Sequence, residues 1–148
     1  ITQDISLKII SQALSKFYGA PGRYKLLNFG QNYTIIVDFA HNYHGLGNIL
    51  QNLRTFTKHH IITIFGHGGE KYNKVRVTIG EVIGTYSDYI IITADNPKSE
   101  DPLKIAKEIE EGVKKTNKDY IIIANRVKAI KHALKKAEEG LTLSPIMF

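Results

Sequence analysis

Three short polar segments hold the residues best suited to chemistry: Asp38-Phe39-Ala40-His41-Asn42, Gly66-His67-Gly68-Gly69-Glu70-Lys71 and Asp95-Asn96-Pro97-Lys98-Ser99-Glu100-Asp101-Pro102. The last is the most informative. Within four residues it sets a carboxylate (Asp95), an amide (Asn96) and an ammonium (Lys98). Such a loop suits a zwitterion such as an amino acid, with the acid and amide meeting its ammonium and the lysine its carboxylate. Its second half has a plainer explanation. Asp101 before Pro102 reads as a helix N-cap with proline at the first helical position, where a missing N–H costs nothing.

Asp38 directly follows Ile35-Ile36-Val37, and His41 comes three residues later. A carboxylate at the end of a strand accepts hydrogen bonds from a ribose or holds an imidazole; the bland alternative is a helix cap beside a surface histidine. The glycines of 66–69 offer a backbone able to take positive φ and approach a ligand, although tight chain reversal is the default explanation for such a turn. The segment is not a Walker A loop, because G-x-x-x-x-G-K-[ST] occurs nowhere in the chain, and it does not fit the dinucleotide fingerprint. Lys71, Lys74 and Arg76 read as solvated surface charges, with an anion contact as the alternative. Nucleophilic hydrolysis has no support, since cysteine and a G-x-S-x-G elbow are both absent. No His/Asp/Glu spacing makes a protein-only metal site.

The elements that must position these segments alternate in type. Apolar residues at helical spacing from Ile5 to Phe17 follow Asp4, a candidate cap, and Gly19-Ala20-Pro21-Gly22 breaks the run. Segments 24–29 and 33–37 read as strands joined through Gly30-Gln31-Asn32. Helices at 44–56, 75–86, 102–115 and 127–138 then alternate with strands at 61–65, 89–93 and 120–124. Strands such as Ile121-Ile122-Ile123 are apolar at every position and predict a sheet covered on both faces. The expected architecture is α/β: a three-layer, doubly wound, mostly parallel sheet with a short antiparallel element near the N-terminus. The three polar segments all follow strands, so they should share the sheet edge where such folds bind ligands.

At 148 residues and 43% hydrophobic content, the chain is long and apolar enough for one globular core. It has no run of 18 apolar residues and no basic leader into an apolar segment. With cysteine absent, the expected location is cytoplasmic. The formal charge of +6 is spread over lysines that alternate with acids such as Glu108, Glu110 and Glu111. That pattern reads as solvated helix faces, not as a nucleic-acid or membrane surface. Anionic small molecules explain the mild excess equally well.

Four motifs in order carry a family resemblance: Ala20-Pro21-Gly22-Arg23, Val37-Asp38-Phe39-Ala40-His41-Asn42, Phe65-Gly66-His67-Gly68-Gly69-Glu70-Lys71 and Ala94-Asp95-Asn96-Pro97-Lys98-Ser99-Glu100-Asp101-Pro102. With the later Ile123-Ala124-Asn125-Arg126, the chain resembles the C-terminal domain of the Mur ligases, closest to the branch that makes UDP-muramyl-tripeptide. The resemblance implies an ATP-dependent amide-bond ligase of peptidoglycan synthesis. ATP phosphorylates a substrate carboxylate, and the incoming amino group attacks the acyl phosphate. It further implies that 1–19 is the trailing helix of, or linker from, a central ATPase domain, and 20–148 the C-terminal domain. That central domain would hold the P-loop and most of the ATP and Mg2+ contacts, so the chain alone should be inactive and carry no catalytic residue. Carried over by motif, Arg23, Asp38 and His41 would bind ATP, with Asp38 on the ribose. Lys71, Asp95, Asn96 and Lys98 would bind the acceptor amino acid.

The chain also departs from the family pattern. Diaminopimelate-adding members carry arginine where this chain has Lys98, and commonly arginine at Lys71. The last acid of the family's Asp-Tyr-Ala-His-Thr-Pro-Asp is His44 here, and the late Gly-Lys-Gly-His-Glu motif is absent. Lysine keeps the charge of arginine and loses its fork, so the acceptor stays open. Cyanophycin or folylpolyglutamate synthetase, and a stand-alone nucleotide or amino-acid binding module, are the alternative readings.

Overall fold

The computed structural model describes residues 5–17, 19–57, 59–70, 73–138 and 144–147. The elements run α1 (Leu7–Ser15), β1 (Lys25–Leu27), β2 (Ile35–Asp38), α2 (Tyr43–Phe56), β3 (Ile62–Phe65), α3 (Val75–Tyr86), β4 (Tyr89–Ile92), α4 (Pro102–Lys114), β5 (Asp119–Ile122), α5 (Arg126–Glu138) and β6 (Ser144–Met147). They form one sheet in the order β1-β2-β6-β3-β4-β5. Among the described residues only β1 is antiparallel, pairing Leu26 with Ile36. The expected α/β architecture and its short antiparallel element are both present. The β1–β2 turn is held by Gln31, whose Oε1 accepts from Phe29 N and whose Nε2 donates to Leu27 and Tyr33 carbonyls at 2.7–3.0 Å.

Sheet order explains the layers. From β2 to β3, β4 and β5 the chain advances in one direction, so right-handed crossovers put α2, α3 and α4 on one face. From β5 it returns to β6, which puts α5 on the other. The two apolar clusters follow this division. Ile36, Phe65, Ile90 and Ile92 pack with Leu46, Leu50, Ile79, Ile83, Ile105 and Ile109. Ile35, Val37, Ile62, Ile64 and Ile91 pack with Ala129, Ala133 and Ala137, small residues four apart that let α5 lie close to the sheet. Helices α3 and α4 touch through their backbones. A Cβ on Gly112 would lie 1.9 Å from the Val77 carbonyl, and one on Gly80 would lie 2.1 Å from that of Ile109.

Three expectations need amending. Strand β6 is not among the expected elements; it lies between β2 and β3, with Pro145, a residue that is rare inside a sheet, opposite Ile36. Strand β5 forms the sheet edge, so Tyr120, Ile121 and Ile122 are half-buried rather than covered like the residues of β2 and β3. Asp4 lies outside the described residues, and the α1 cap there is Ser6, whose Oγ accepts from Ile9 N at 3.4 Å. Helix α1 buries no residue and exposes Leu7, Ile9, Ile10 and Leu14. Among the described residues no helix is long and apolar enough to cross a membrane.

Candidate functional site

Because β2, β3 and β4 run parallel, the three polar turns leave the sheet at one edge. They enclose a cleft of about 420 Å³ lined by Phe39 and His41 after β2, Gly68 and Gly69 after β3, and Asp95, Asn96 and Lys98 after β4. Four of the residues singled out by sequence therefore face one space: His41, Asp95, Asn96 and Lys98.

The first turn is built on Asp38, only 6% exposed. Its Oδ2 accepts from Tyr24 N and its Oδ1 from Ala40 N, both at 2.7 Å. These bonds tie the segment before β1 to the end of β2, next to Gly22 and Tyr24 in left-handed conformation at φ 71° and 46°. The same tie brings Arg23 to Phe39, with the guanidinium carbon 5.8 Å from the ring centroid. The His41 ring meets Phe39 edge-on at 5.7 Å. His41 Nδ1 lies 3.1 Å from the Phe39 carbonyl. Since a carbonyl only accepts, Nδ1 carries the hydrogen, and Nε2 of the neutral ring keeps the acceptor lone pair. Asn42 then caps α2 through Gly45 N at 2.8 Å.

In the second turn Gly66 and Gly69 are required by packing. None of Gly66, Gly68 or Gly69 has positive φ. Instead a Cβ on Gly66 would lie 2.5 Å from the Thr93 carbonyl, and one on Gly69 1.8 Å from that of Pro97. The backbone of the third turn lies directly against the second, and Gly69 N donates to the Asn96 carbonyl at 2.8 Å.

Arg76 corrects the sequence reading. It is not a solvated surface charge but wholly buried, at 0% exposure. Its guanidinium forks onto Glu100 at 2.9 and 3.0 Å and reaches Glu108 Oε2 at 2.7 Å. It also donates to the Gly68 carbonyl at 3.3 Å and lies 3.4 Å from Nδ1 of the buried His67. Arg76 thus joins the glycine turn, the third turn and α4. The guanidinium fork, helped by the Glu70 amide, holds the Glu100 carboxyl down at about 2. Glu100 in turn raises the pKa of Arg76. Asp101 caps α4 through Leu103 N at 2.9 Å, with Pro102 in the first turn as expected.

Lys98 is not alone in the cleft wall. Its Nζ is 3.2 Å from Glu70 Oε2, and Ser99 Oγ donates to Glu70 Oε1 at 2.8 Å. The Ser99 hydroxyl and then Lys98 pull the Glu70 carboxyl below its ordinary range. Burial lowers the pKa of Arg126 at the start of α5, and the charge of Asp95 opposes that effect. Arg126 also donates to the Ala94 carbonyl at 3.1 Å. Lys71, expected in the acceptor pocket, lies outside the described residues. The sequence reading assigns no role to Phe39, Glu70, Glu100 or Arg126, although all four stand inside or beside the quoted motifs.

The comparisons fit this geometry. A family model described as Mur ligase, glutamate ligase domain matches residues 22–143. The UDP-N-acetylmuramoyl-L-alanyl-D-glutamate–2,6-diaminopimelate ligase of Alkaliphilus oremlandii is 45% identical over 135 residues, covering 91% of this chain and 28% of the relative. That of Syntrophomonas wolfei is 41% identical over 141 residues, covering 95% and 29%. A solved structure of a ligase of the same name superposes with a TM-score of 0.77 at 26% identity, covering 97% of this chain and 29% of that one. A folylpolyglutamate synthase structure from Thermotoga maritima, at 20% identity and TM-score 0.69 over 98% of this chain and 31% of that one, shares the fold. The chain thus spans under a third of the length of the curated relatives it matches. With the family model covering strands β1 to β5, the cleft and all three turns, this chain belongs to the Mur ligase family, as its glutamate ligase domain.

Proposed function

We propose that this chain is the acceptor-binding, C-terminal part of an ATP-dependent amino-acid ligase that extends a UDP-muramyl-peptide in peptidoglycan synthesis. The observation that carries this reading is the cleft wall of Asp95, Asn96 and Lys98. It supplies an acid and an amide for an incoming ammonium and a cation for its carboxylate, so the amine is oriented toward an acyl phosphate formed outside this chain. Lys71 belongs to the same proposed pocket. The names of the relatives support a muramyl-dipeptide as the other substrate.

The nucleotide half of the site is assigned to Arg23, Asp38 and His41. Phe39, 54% exposed and contacted by both Arg23 and His41, offers an apolar face beside a cation, which fits a nucleotide. Asp38 fixes this group through Tyr24 and Ala40, and a carboxylate has lone pairs beyond those two bonds for a ribose hydroxyl. The phosphate chemistry, with ATP and Mg2+, is assigned to the part of the enzyme beyond this chain. The exposed apolar face of α1 supports placing 1–19 against that part.

The test is Lys98→Ala in the full-length ligase. Losing a charge-assisted bond should raise the acceptor KM about 10- to 100-fold while the ATP KM stays within about twofold. An unchanged acceptor KM would remove Lys98 from the pocket.

A further inference from the structure

Glu70 and Lys98 face each other under unusual constraint. Both are non-glycine residues in the left-handed region, at φ 55° and 52°. Such conformations persist only where surrounding contacts hold them. Here the contacts are specific. The Glu70 amide donates to Glu100, which the buried Arg76 grips with two parallel bonds. The Glu70 side chain then receives Ser99 Oγ at 2.8 Å and Lys98 Nζ at 3.2 Å. A rigid base therefore presents a carboxylate to the one cation that lines the cleft among the described residues.

We propose that Glu70 is a built-in competitor for Lys98: its carboxylate occupies the lysine until the carboxylate of the acceptor takes its place. This rests on the reading of Lys98 as the acceptor's cation. The exchange is feasible because both side chains are about half exposed, at 47% and 48%, so the internal pair is weak and water reaches it. Ser99 stays bonded to Glu70 and keeps the displaced carboxylate in position. The pair thereby keeps an uncompensated cation out of the empty cleft and makes weakly bound anions poor occupants. Glu70 is a positioning residue, acting on the acceptor only through Lys98.

The experiment is steady-state kinetics of the full-length ligase with Glu70→Gln, Lys98→Ala and the double variant. Glutamine keeps the size of Glu70 and an oxygen for Ser99 while removing the competing charge. Glu70→Gln should lower the acceptor KM about two- to fivefold, the range an exposed ion pair supplies, with the ATP KM and the melting temperature unchanged. The gain should vanish in the Lys98→Ala background, and also for an acceptor whose carboxylate is a carboxamide. If Glu70→Gln raises the acceptor KM or leaves it unchanged while Lys98→Ala raises it, the competitor role is wrong and the Lys98 assignment stands. If Lys98→Ala leaves the acceptor KM unchanged, both fall. A gain that survives in the double variant also overturns the proposal, since Glu70 would then act by another route.

Discussion

Replacing Arg76 with methionine tests whether the buried guanidinium holds the acceptor turn in place. The variant keeps a long side chain in the core and strands two carboxylates, Glu100 and Glu108, without their shared cation. Removing one partner of a buried ion pair costs about 3–5 kcal/mol. These glutamates are 26% and 22% exposed, so water recovers part of the loss and the low end applies, about 3 kcal/mol. In a domain of this size that lowers Tm by about 6–12 °C. Urea denaturation should show a lower midpoint with an unchanged slope. The pH dependence has a definite sign. Glu100 titrates near 2 in the folded chain against an ordinary value of 4.5, so its share of stability is complete above 4.5 and is lost as pH falls toward 2. The gap between wild type and variant should therefore narrow below pH 4.5. Adding Glu100→Gln to Arg76→Met should recover part of the loss, because it removes one of the stranded charges. A loss under about 1 kcal/mol at pH 7, or a gap of the same size at pH 7 and pH 2.5, would refute the hub.

Two further substitutions test the turns themselves. Gly69→Ala forces a methyl into the Pro97 carbonyl, 1.8 Å from the position its Cβ must take. It should cost about 1–3 kcal/mol by denaturation and raise the acceptor KM of the full-length enzyme more than the ATP KM, because the displaced turn carries Asn96 and Lys98. Asp38→Asn presents an NH2 to one of two backbone donors, Tyr24 N or Ala40 N, and should lose about 1–3 kcal/mol in the same assay. If stability is unchanged, Asp38 does not hold this turn.

Much of the site was legible because its cues are local. An apolar run followed by Asp-Asn-Pro and then Asp-Pro marks a strand end, a loop and a helix cap, and each assignment depends on a few neighbouring residues. Parallel strands then bring three such turns to one edge without any detailed knowledge of packing. What stayed hidden depends on contacts between distant segments. Arg76 sits on a helix among Lys74 and Val77 and looks solvated; only the Glu100 and Glu108 carboxylates, 24 and 32 residues away, make its burial possible. Strand β6 was hidden for a similar reason, since what makes it a strand is pairing with distant segments: Pro145 lies opposite Ile36, and Ile146 opposite Val37 and Ile64.

The glycine turn links these two kinds of information. Its glycines suggest a ligand cradle by sequence, but Gly66 and Gly69 are there so that the backbone of residues 93–97 can lie against them. The second turn is thus the seat of the third. Gly69 N holds the Asn96 carbonyl, Glu70 holds Lys98 and Ser99, and Arg76 holds Glu100. Selectivity for an acceptor should therefore respond to substitutions in 66–70 as strongly as to those in 95–98, although the first group supplies few atoms that an acceptor would touch.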